Sequence, residues 1–413
     1  MDTLQKALNQ ASAQMPALFL ENLISKRLKA EGVVSPKGLA LEIAQHLLTG
    51  STEPFISKNV AKSRNINLSL TAADLDEVAK AIDAFSENQL PALLPLMAGK
   101  LSRSILKDLK TRWPDEQAQQ EVDFSGFRAR LEQRWGKSLG PLRMLLTMVR
   151  EWCERAHHRE SGLRQHTKKQ FRQVLIRLLV RGCQVTDEVI CLLENGFADG
   201  AMARWRTLHE TAVVAAIISQ GGENAAERYV EHQAVESKRA MTKYLECSKL
   251  LGYRPLSARA QAKIEKAYDK VMAKYGEPFK TDYGWAAAHL KKNSPTFVDL
   301  EAAAGRAEMR AHYQMGNDNI HAGIKSMYVR LGLFDYGGLL AGRSNAGLTE
   351  PGQNAAHTLT QLAAIVCLSR PSLDDLVIGE MLKTLMDEIP RSFARAELRL
   401  RRDDKVFRSH KTV

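Results

Sequence analysis

The chain has 413 residues, of which 44% are hydrophobic and 26% charged, and its formal net charge is +12. These proportions are typical of a soluble globular protein, and the length exceeds what one hydrophobic core holds, so we expect two or three domains. The longest apolar run, at 212–218, is far shorter than the roughly 20 residues of a membrane-spanning helix. The first residues lack a basic-then-apolar secretory pattern, so we expect a cytoplasmic protein with no membrane partner.

The positive charge is concentrated in two stretches of the chain. Segment 143–182 carries ten Lys and Arg against three Glu, and segment 391–413 carries eight against three acidic residues. Such concentration is typical of a polyanion partner, and a solvated surface is the alternative. The candidate nucleic-acid contacts in the first stretch are Arg164, Lys168, Lys169 and Arg172. For the second stretch we favour a disordered solubilising tail over a dedicated binding arm.

The five cysteines are scattered and odd in number, without a CxxC pair or a Cys/His metal spacing. They indicate reduced, mostly buried thiols. The sequence also lacks nucleotide-binding glycine loops, an HExxH pair and a nucleophile elbow. We therefore expect neither a metal site nor another cofactor.

Apolar residues recur at helical spacing along most of the chain, and the alternation typical of strands is almost absent. Thr71 and Asp74 form the pattern of a capping box, which predicts a helix to about Phe85. Gly196 and Gly200 indicate a turn between two helices within 185–219. Further helices are predicted at 91–111, 124–137, 141–160, 163–182, 223–251, 256–275, 306–331, 353–369 and 371–387. The predicted fold class is all-α, a multi-helix bundle.

Two polar groups of residues stand out in otherwise apolar helical segments. Arg206 and Glu210 are four residues apart, and Tyr313, Asn317 and His321 follow the spacing i, i+4, i+8. Residues four apart share one face of a helix, so each group forms a polar stripe. Because buried polar groups need partners, we expect the two stripes to face each other and to form the best candidate for a catalytic site.

The stretch from about 174 to 331 resembles a bacterial family of unknown function on the basis of these motifs. Members of that family pair Arg-Ser/Thr-Leu-x-Glu with a later Tyr-x-x-Leu-Ser-x-x-x-His segment. Here the first motif reads Arg206-Thr-Leu-His-Glu210, and the second runs from Tyr313 to His321 with the eight-residue spacing kept. Gly316 stands where the family has Leu, and Asn317 stands where it has Ser.

That family in turn resembles the HEPN helical bundles, many of which are metal-independent ribonucleases of toxin and antiviral systems. Their signature is Arg-x(4–6)-His. Arg204 and His209 fit this spacing, but they lie about 140° apart on a helix, so chance spacing is the favoured interpretation. The resemblance implies an HEPN-like domain over 183–390, after an N-terminal helical domain of unknown role at 1–140 and a basic connector at 141–182, with the basic tail at 391–413. It also implies RNA as substrate, a homodimer, and a regulatory or antitoxin partner.

The residue types at the candidate site suit RNA cleavage without a metal. A histidine such as His321 transfers protons near neutral pH, and the fork of Arg206 binds phosphate oxygens. Glu210 would orient Arg206, and Tyr313 or Asn317 would position His321 or the phosphate. The alternatives are a non-catalytic nucleic-acid-binding module and a partner-docking module, in which the same residues only tie helices together.

Overall fold

The computed structural model describes residues 2–33, 36–51, 53–57, 65–161, 170–321, 323–334, 339–369 and 372–410. Within these ranges the chain forms helices and no strand, which confirms the predicted all-α class. The chain divides into two compact units, Met1–Gln120 and Glu121–Val413. The division precedes the predicted boundary at 140 because Leu131, Trp135 and Leu139 belong to the core of the second unit.

The first unit contains α1 (Asp2–Ala30), α2 (Leu39–Leu48) and α3 (Ala72–Ala84). Its small core is formed by one apolar face from each helix: Leu20, Ile24, Leu28, Ala40, Ala44 and Val78. Thr71 and Asp74 form the predicted capping box at the start of α3. Hydrogen bonds from Thr71 and the ion pair with Arg27, at 2.5 Å, lower the pKa of Asp74. Capping and this ion pair therefore fix α3 against α1.

A single helix, α4 (Leu90–Ser161), replaces the three helices predicted between 91 and 160. The prediction of three helices was wrong, because its breaks rest on Pro114 and Gly136, and both residues lie inside α4. Prolines and glycines weaken or kink a helix but do not always end it. From Leu131 to Ala156 the helix is held by one buried face that includes Trp135 and Trp152.

The second unit is built on α5 (Gln170–Glu194), α6 (Ala198–Glu231) and α13 (Thr349–Leu368), which pack against one another. The turn between α5 and α6 uses Gly196 at φ 75°, as the sequence predicts. The buried Trp205 of α6 donates from Nε1 to Thr358 Oγ1 of α13 at 2.9 Å. α6 continues past Gly222, between the predicted helices that end at 219 and begin at 223, with a kink at φ 62° and ψ −146°.

The remaining helices cover this core. They are α7 (Gln233–Ser248), α8 (Ala258–Tyr275), α9 (Ala287–Leu290), α10 (Phe297–Ala303), α11 (Arg310–Asp318), α12 (Ile324–Tyr328) and α14 (Leu373–Ser409). The basic segment after residue 391, predicted as a disordered tail, is helical through Ser409. The prediction missed Phe393, Ala396 and Leu400, which form a buried apolar face at helical spacing.

Candidate functional site

Arg206 and Glu210 lie on the alanine-rich first half of α6. Their side chains form an ion pair of 3.0 Å and remain 25% and 35% exposed. The small residues on the rest of this helix, such as Ala201 and Ala212, are buried and let α5 and α13 pack closely. α6 thus presents one polar stripe at the edge of the core, at the position that the sequence indicates.

α11 lies against this stripe at Gly316. A Cβ atom at this glycine would be 3.3 Å from Met202 O and 3.4 Å from Arg206 Cβ, so the absence of a side chain permits the close approach. Tyr313 Oη donates to Glu210 Oε1 at 2.7 Å, and Arg206 Cζ lies 4.7 Å from the centre of the Tyr313 ring. We refer to Arg206, Glu210 and Tyr313 as the Arg206 cluster. The two predicted polar stripes therefore meet through these three residues.

The Tyr313 hydroxyl remains protonated in this cluster. Burial raises its pKa, and the hydrogen bond to the Glu210 carboxylate raises it further. The hydroxyl is therefore a fixed hydrogen-bond donor to Glu210 near neutral pH, and it has no role as a base there. Its position orders the carboxylate that pairs with Arg206.

The predicted stripe does not reach His321, because α11 ends at Asp318. The expected single helix over 306–331 is wrong. The run Gly316-Asn-Asp-Asn319 consists of weak helix formers whose side chains compete for backbone hydrogen bonds. His321 follows in a turn, where its backbone N–H donates to Asn317 O at 3.0 Å and its imidazole is exposed. Among the described residues, no hydrogen bond or ion pair joins that imidazole to the Arg206 cluster.

Asn317 remains on α11, one turn after Tyr313. Its side chain is half-buried, and its Oδ1 atom is buried without a hydrogen-bond partner in the described part of the protein. The buried Arg206 Nε is in the same situation. Buried polar atoms are nearly always hydrogen-bonded, so these two mark hydrogen-bonding capacity that the described protein groups do not use.

A second ionic arrangement lies deeper in the core. His209 Nε2 is 2.9 Å from Glu301 Oε1, both side chains are 1% exposed, and Arg310 Nη1 donates to Glu301 Oε2 at 2.7 Å. We call these three residues the Glu301 network. Burial lowers the pKa of His209. The imidazole is therefore neutral at pH 7 and donates to a carboxylate that Arg310 neutralises.

The Arg204 and His209 pair is separated in the structure. Arg204 forms an ion pair with Glu188 of α5, whereas His209 is engaged in the Glu301 network. The two side chains therefore do not form one site, in agreement with the interpretation of chance spacing.

The predicted nucleic-acid contacts fall into two groups. Arg164, Lys168 and Lys169 lie outside the described residues. Arg172 is buried, and its Nη1 donates to Val366 O and Ser369 Oγ at the end of α13. This guanidinium fastens α5 to α13 and is not presented to a polyanion in solution.

Sequence reasoning missed Glu301 and Arg310. Glu301 lies in α10 next to Leu300 and four residues after Phe297, both of which are buried. A carboxylate within an apolar face was the available signal, since such a group must find a cationic or donor partner. Arg310 begins α11 and stacks on the same ring as Arg206, with Cζ 5.1 Å from the centre of Tyr313.

A pocket of about 400 Å³ lies between α4 and α5, away from the predicted residues. It is lined by Arg150, Cys153, Glu154, His157, His158, Val180, Cys183 and Gln184. Burial raises the pKa of Cys153 to about 11 and that of Cys183 to about 12, so both thiols are protonated and weakly nucleophilic at neutral pH. Neither thiol of the pocket is therefore activated as a nucleophile.

No group of three His, Cys, Asp or Glu with metal-binding geometry occurs in the ranges that the structure covers. In the same ranges, no helix has the length and apolar character needed to cross a bilayer.

Comparison with known protein families gives a match. Residues 172–338 match the sequence model of a family of unknown function (DUF5677). This segment contains the Arg206 cluster and the Glu301 network, and it coincides closely with the stretch for which the sequence predicted such a resemblance. No curated protein and no solved structure matches the chain.

Proposed function

We propose that the protein binds RNA, and that the Arg206 cluster contacts a phosphate of the strand. The observation that carries the proposal is the placement of two partly exposed guanidinium groups on one tyrosine ring. Arg206 is 25% exposed and Arg310 is 33% exposed, at 4.7 and 5.1 Å from the centre of Tyr313. A guanidinium has five N–H donors in a planar fork that matches phosphate oxygens.

The anchoring of these arginines supports a binding role. Glu210 and Glu301 each hold one guanidinium by an ion pair, which fixes its orientation, and both guanidinium groups remain partly exposed to a ligand. The pre-ordering reduces the conformational entropy that binding costs.

The test is the affinity for fluorescently labelled single-stranded RNA and for DNA of the same sequence, measured by anisotropy. Arg206→Gln should weaken RNA binding at least tenfold, because a charge-assisted phosphate contact is lost. The matched control is Arg204→Gln, two residues away on α6 and paired with Glu188. Equal affinities of wild type and Arg206→Gln, or an equal loss in the control, would overturn the proposal.

RNA cleavage is the second candidate, and the exposure of His321 favours it. The imidazole is accessible, and its backbone is hydrogen-bonded to Asn317, one turn after Tyr313. With a strand bound by Arg206, His321 would be the group that transfers protons. The resemblance to HEPN ribonucleases would then extend to a toxin or antiviral role.

Cleavage is tested by incubating cellular RNA with wild type and His321→Ala in the presence of EDTA. The control is His289→Ala, another exposed histidine. If His321→Ala alone abolishes fragmentation and growth arrest on expression, the protein is a metal-independent ribonuclease. Intact RNA with the wild-type protein would leave binding as the function.

A further inference from the structure

The second half of α14 separates its charges by face. Arg391, Arg395, Arg399, Arg402 and Lys405 are all exposed. At 100° per residue they fall within about 120° of the helix circumference, over a length of about 21 Å. We call these five residues the α14 stripe. No acidic partner for any of them is found in the part of the chain that the structure describes.

The acidic residues of the same segment are engaged elsewhere. Glu397 pairs with Arg401 at 2.8 Å, Asp404 pairs with Arg408 at 2.9 Å, and Asp403 pairs with Arg134 of α4 at 2.8 Å. Each acid therefore neutralises a cation outside the stripe. The result is a row of five positive charges without internal compensation, which repel one another unless an anion lies along them.

The opposite face of α14 is fixed in the core. Ile389, Phe393 and Ala396 are fully buried, and Phe393 lies against Trp135 with ring centres 5.9 Å apart. A Cβ atom at Gly352 of α13 would lie 2.4 Å from Phe393 Cζ, so the two helices touch at this point. The stripe is thus a rigid surface, and binding along it would cost little backbone entropy.

We propose that the α14 stripe binds the phosphodiester backbone of a nucleic acid and supplies most of the electrostatic affinity. Successive phosphates of a nucleic acid are repeating anions that match a row of cations along one helix face, and arginine is suited to them by its planar fork. The stripe lies outside the matched residues 172–338. The inference rests on the proposed nucleic-acid binding and adds a second surface that carries no sequence information.

The test removes three charges at once by Arg391→Gln, Arg395→Gln and Arg399→Gln. The matched control removes three charges from α8 by Lys263→Gln, Lys266→Gln and Lys270→Gln, where Glu265 and Asp269 lie among the lysines. Anisotropy with single-stranded RNA, duplex RNA and duplex DNA is recorded between about 50 and 200 mM salt, the range in which phosphate contacts change affinity strongly.

The α14 triple variant should bind at least tenfold more weakly at low salt. The slope of log affinity against log salt should become shallower by about 2, since each lost phosphate contact removes about 0.7–0.9. The corresponding triple Arg→Lys variant should retain most of the affinity. If the affinity of the α14 triple variant falls equally for RNA and DNA, backbone phosphates are the shared ligand. If its affinity falls only for RNA, the α14 stripe binds RNA alone.

The inference is overturned if the α14 triple variant matches wild type, if the α8 control loses as much affinity, or if wild type binds no nucleic acid. The two proposals fail separately. If Arg206→Gln binds nucleic acid as well as wild type does and the α14 triple variant binds it weakly, only the proposed role of the Arg206 cluster is wrong. If Arg206→Gln binds weakly and the α14 triple variant binds as well as wild type does, only the proposed role of the α14 stripe is wrong.

Discussion

The Arg206 cluster and the Glu301 network each pair an arginine with a glutamate beside the Tyr313 ring, but the two glutamates differ in burial. Glu301 and His209 are 1% exposed, whereas Glu210 is 35% and Arg206 is 25% exposed. Removing one partner of a buried ion pair is costly, because water cannot solvate the charge that remains. A half-exposed pair can exchange a partner for water or a ligand. Burial therefore separates the structural contact between His209 and Glu301 from the partly exposed guanidinium groups of Arg206 and Arg310, which are available for binding.

The largest expected effect comes from breaking the Glu301 network. Glu301→Ala leaves the buried, neutral His209 without its acceptor and the partly exposed Arg310 without its carboxylate partner, so the free energy of unfolding should fall by about 3 kcal/mol. Urea denaturation followed by circular dichroism measures it. Glu308→Ala, at an exposed position nearby, should change stability by less than about 0.5 kcal/mol. A loss under about 1 kcal/mol in Glu301→Ala would contradict the structural role.

The matched change in the Arg206 cluster should have a smaller effect. Tyr313→Phe removes the hydroxyl that donates to Glu210 at 2.7 Å, and Glu210 can then accept from water. The expected loss of stability is about 1 kcal/mol, typical of one hydrogen bond. The same urea measurement compares it with Glu301→Ala. Similar losses in the two variants would show that burial does not distinguish the two arrangements.

The smallest effect is a pH dependence of stability that arises from the Glu301 network. Since burial holds the pKa of His209 below its unfolded value of 6.5, the unfolded chain binds the proton more readily. Stability from this group is complete above pH 6.5 and declines as the pH falls below it. His357, whose pKa burial also lowers, acts in the same direction. Unfolding measured at pH 7 and pH 5.5 should show a smaller decline in His209→Gln than in wild type.

The parts of the molecule that could be predicted are those set by local sequence. Periodicity gives the all-α class, and the Arg206 to Glu210 spacing gives one exposed stripe. The prediction that the polar stripe extends to His321 was wrong. It assumed that the helix continues through Gly316 and the three weak helix formers that follow it, whereas α11 ends at Asp318. The partnership of His209 and Glu301, 92 residues apart, depends on tertiary packing and has no local signal beyond a carboxylate among apolar residues.

The number of basic residues in a segment of sequence does not show which of them are exposed and unpaired in the structure. The count of basic residues in 143–182 does not show that Arg172 is buried or that Arg150 and Arg159 pair with Asp187 and Asp375. In α14 the opposite holds, since helical periodicity places five cations on one face while the acids pair elsewhere. The structure shows which charged side chains lie together on one exposed face of a helix. That information distinguishes a candidate binding surface from a segment that is merely rich in basic residues.

The most direct measurement of the central claim is the gain in unfolding free energy caused by a single-stranded RNA, compared between wild type and Arg206→Gln. At an RNA concentration 100 times the dissociation constant of wild type, the gain should be about 2.7 kcal/mol. Arg206→Gln should gain about 1.4 kcal/mol less for each tenfold loss of affinity, and Arg204→Gln should match wild type. Equal gains in wild type and Arg206→Gln would contradict the assignment of the Arg206 cluster as the binding site.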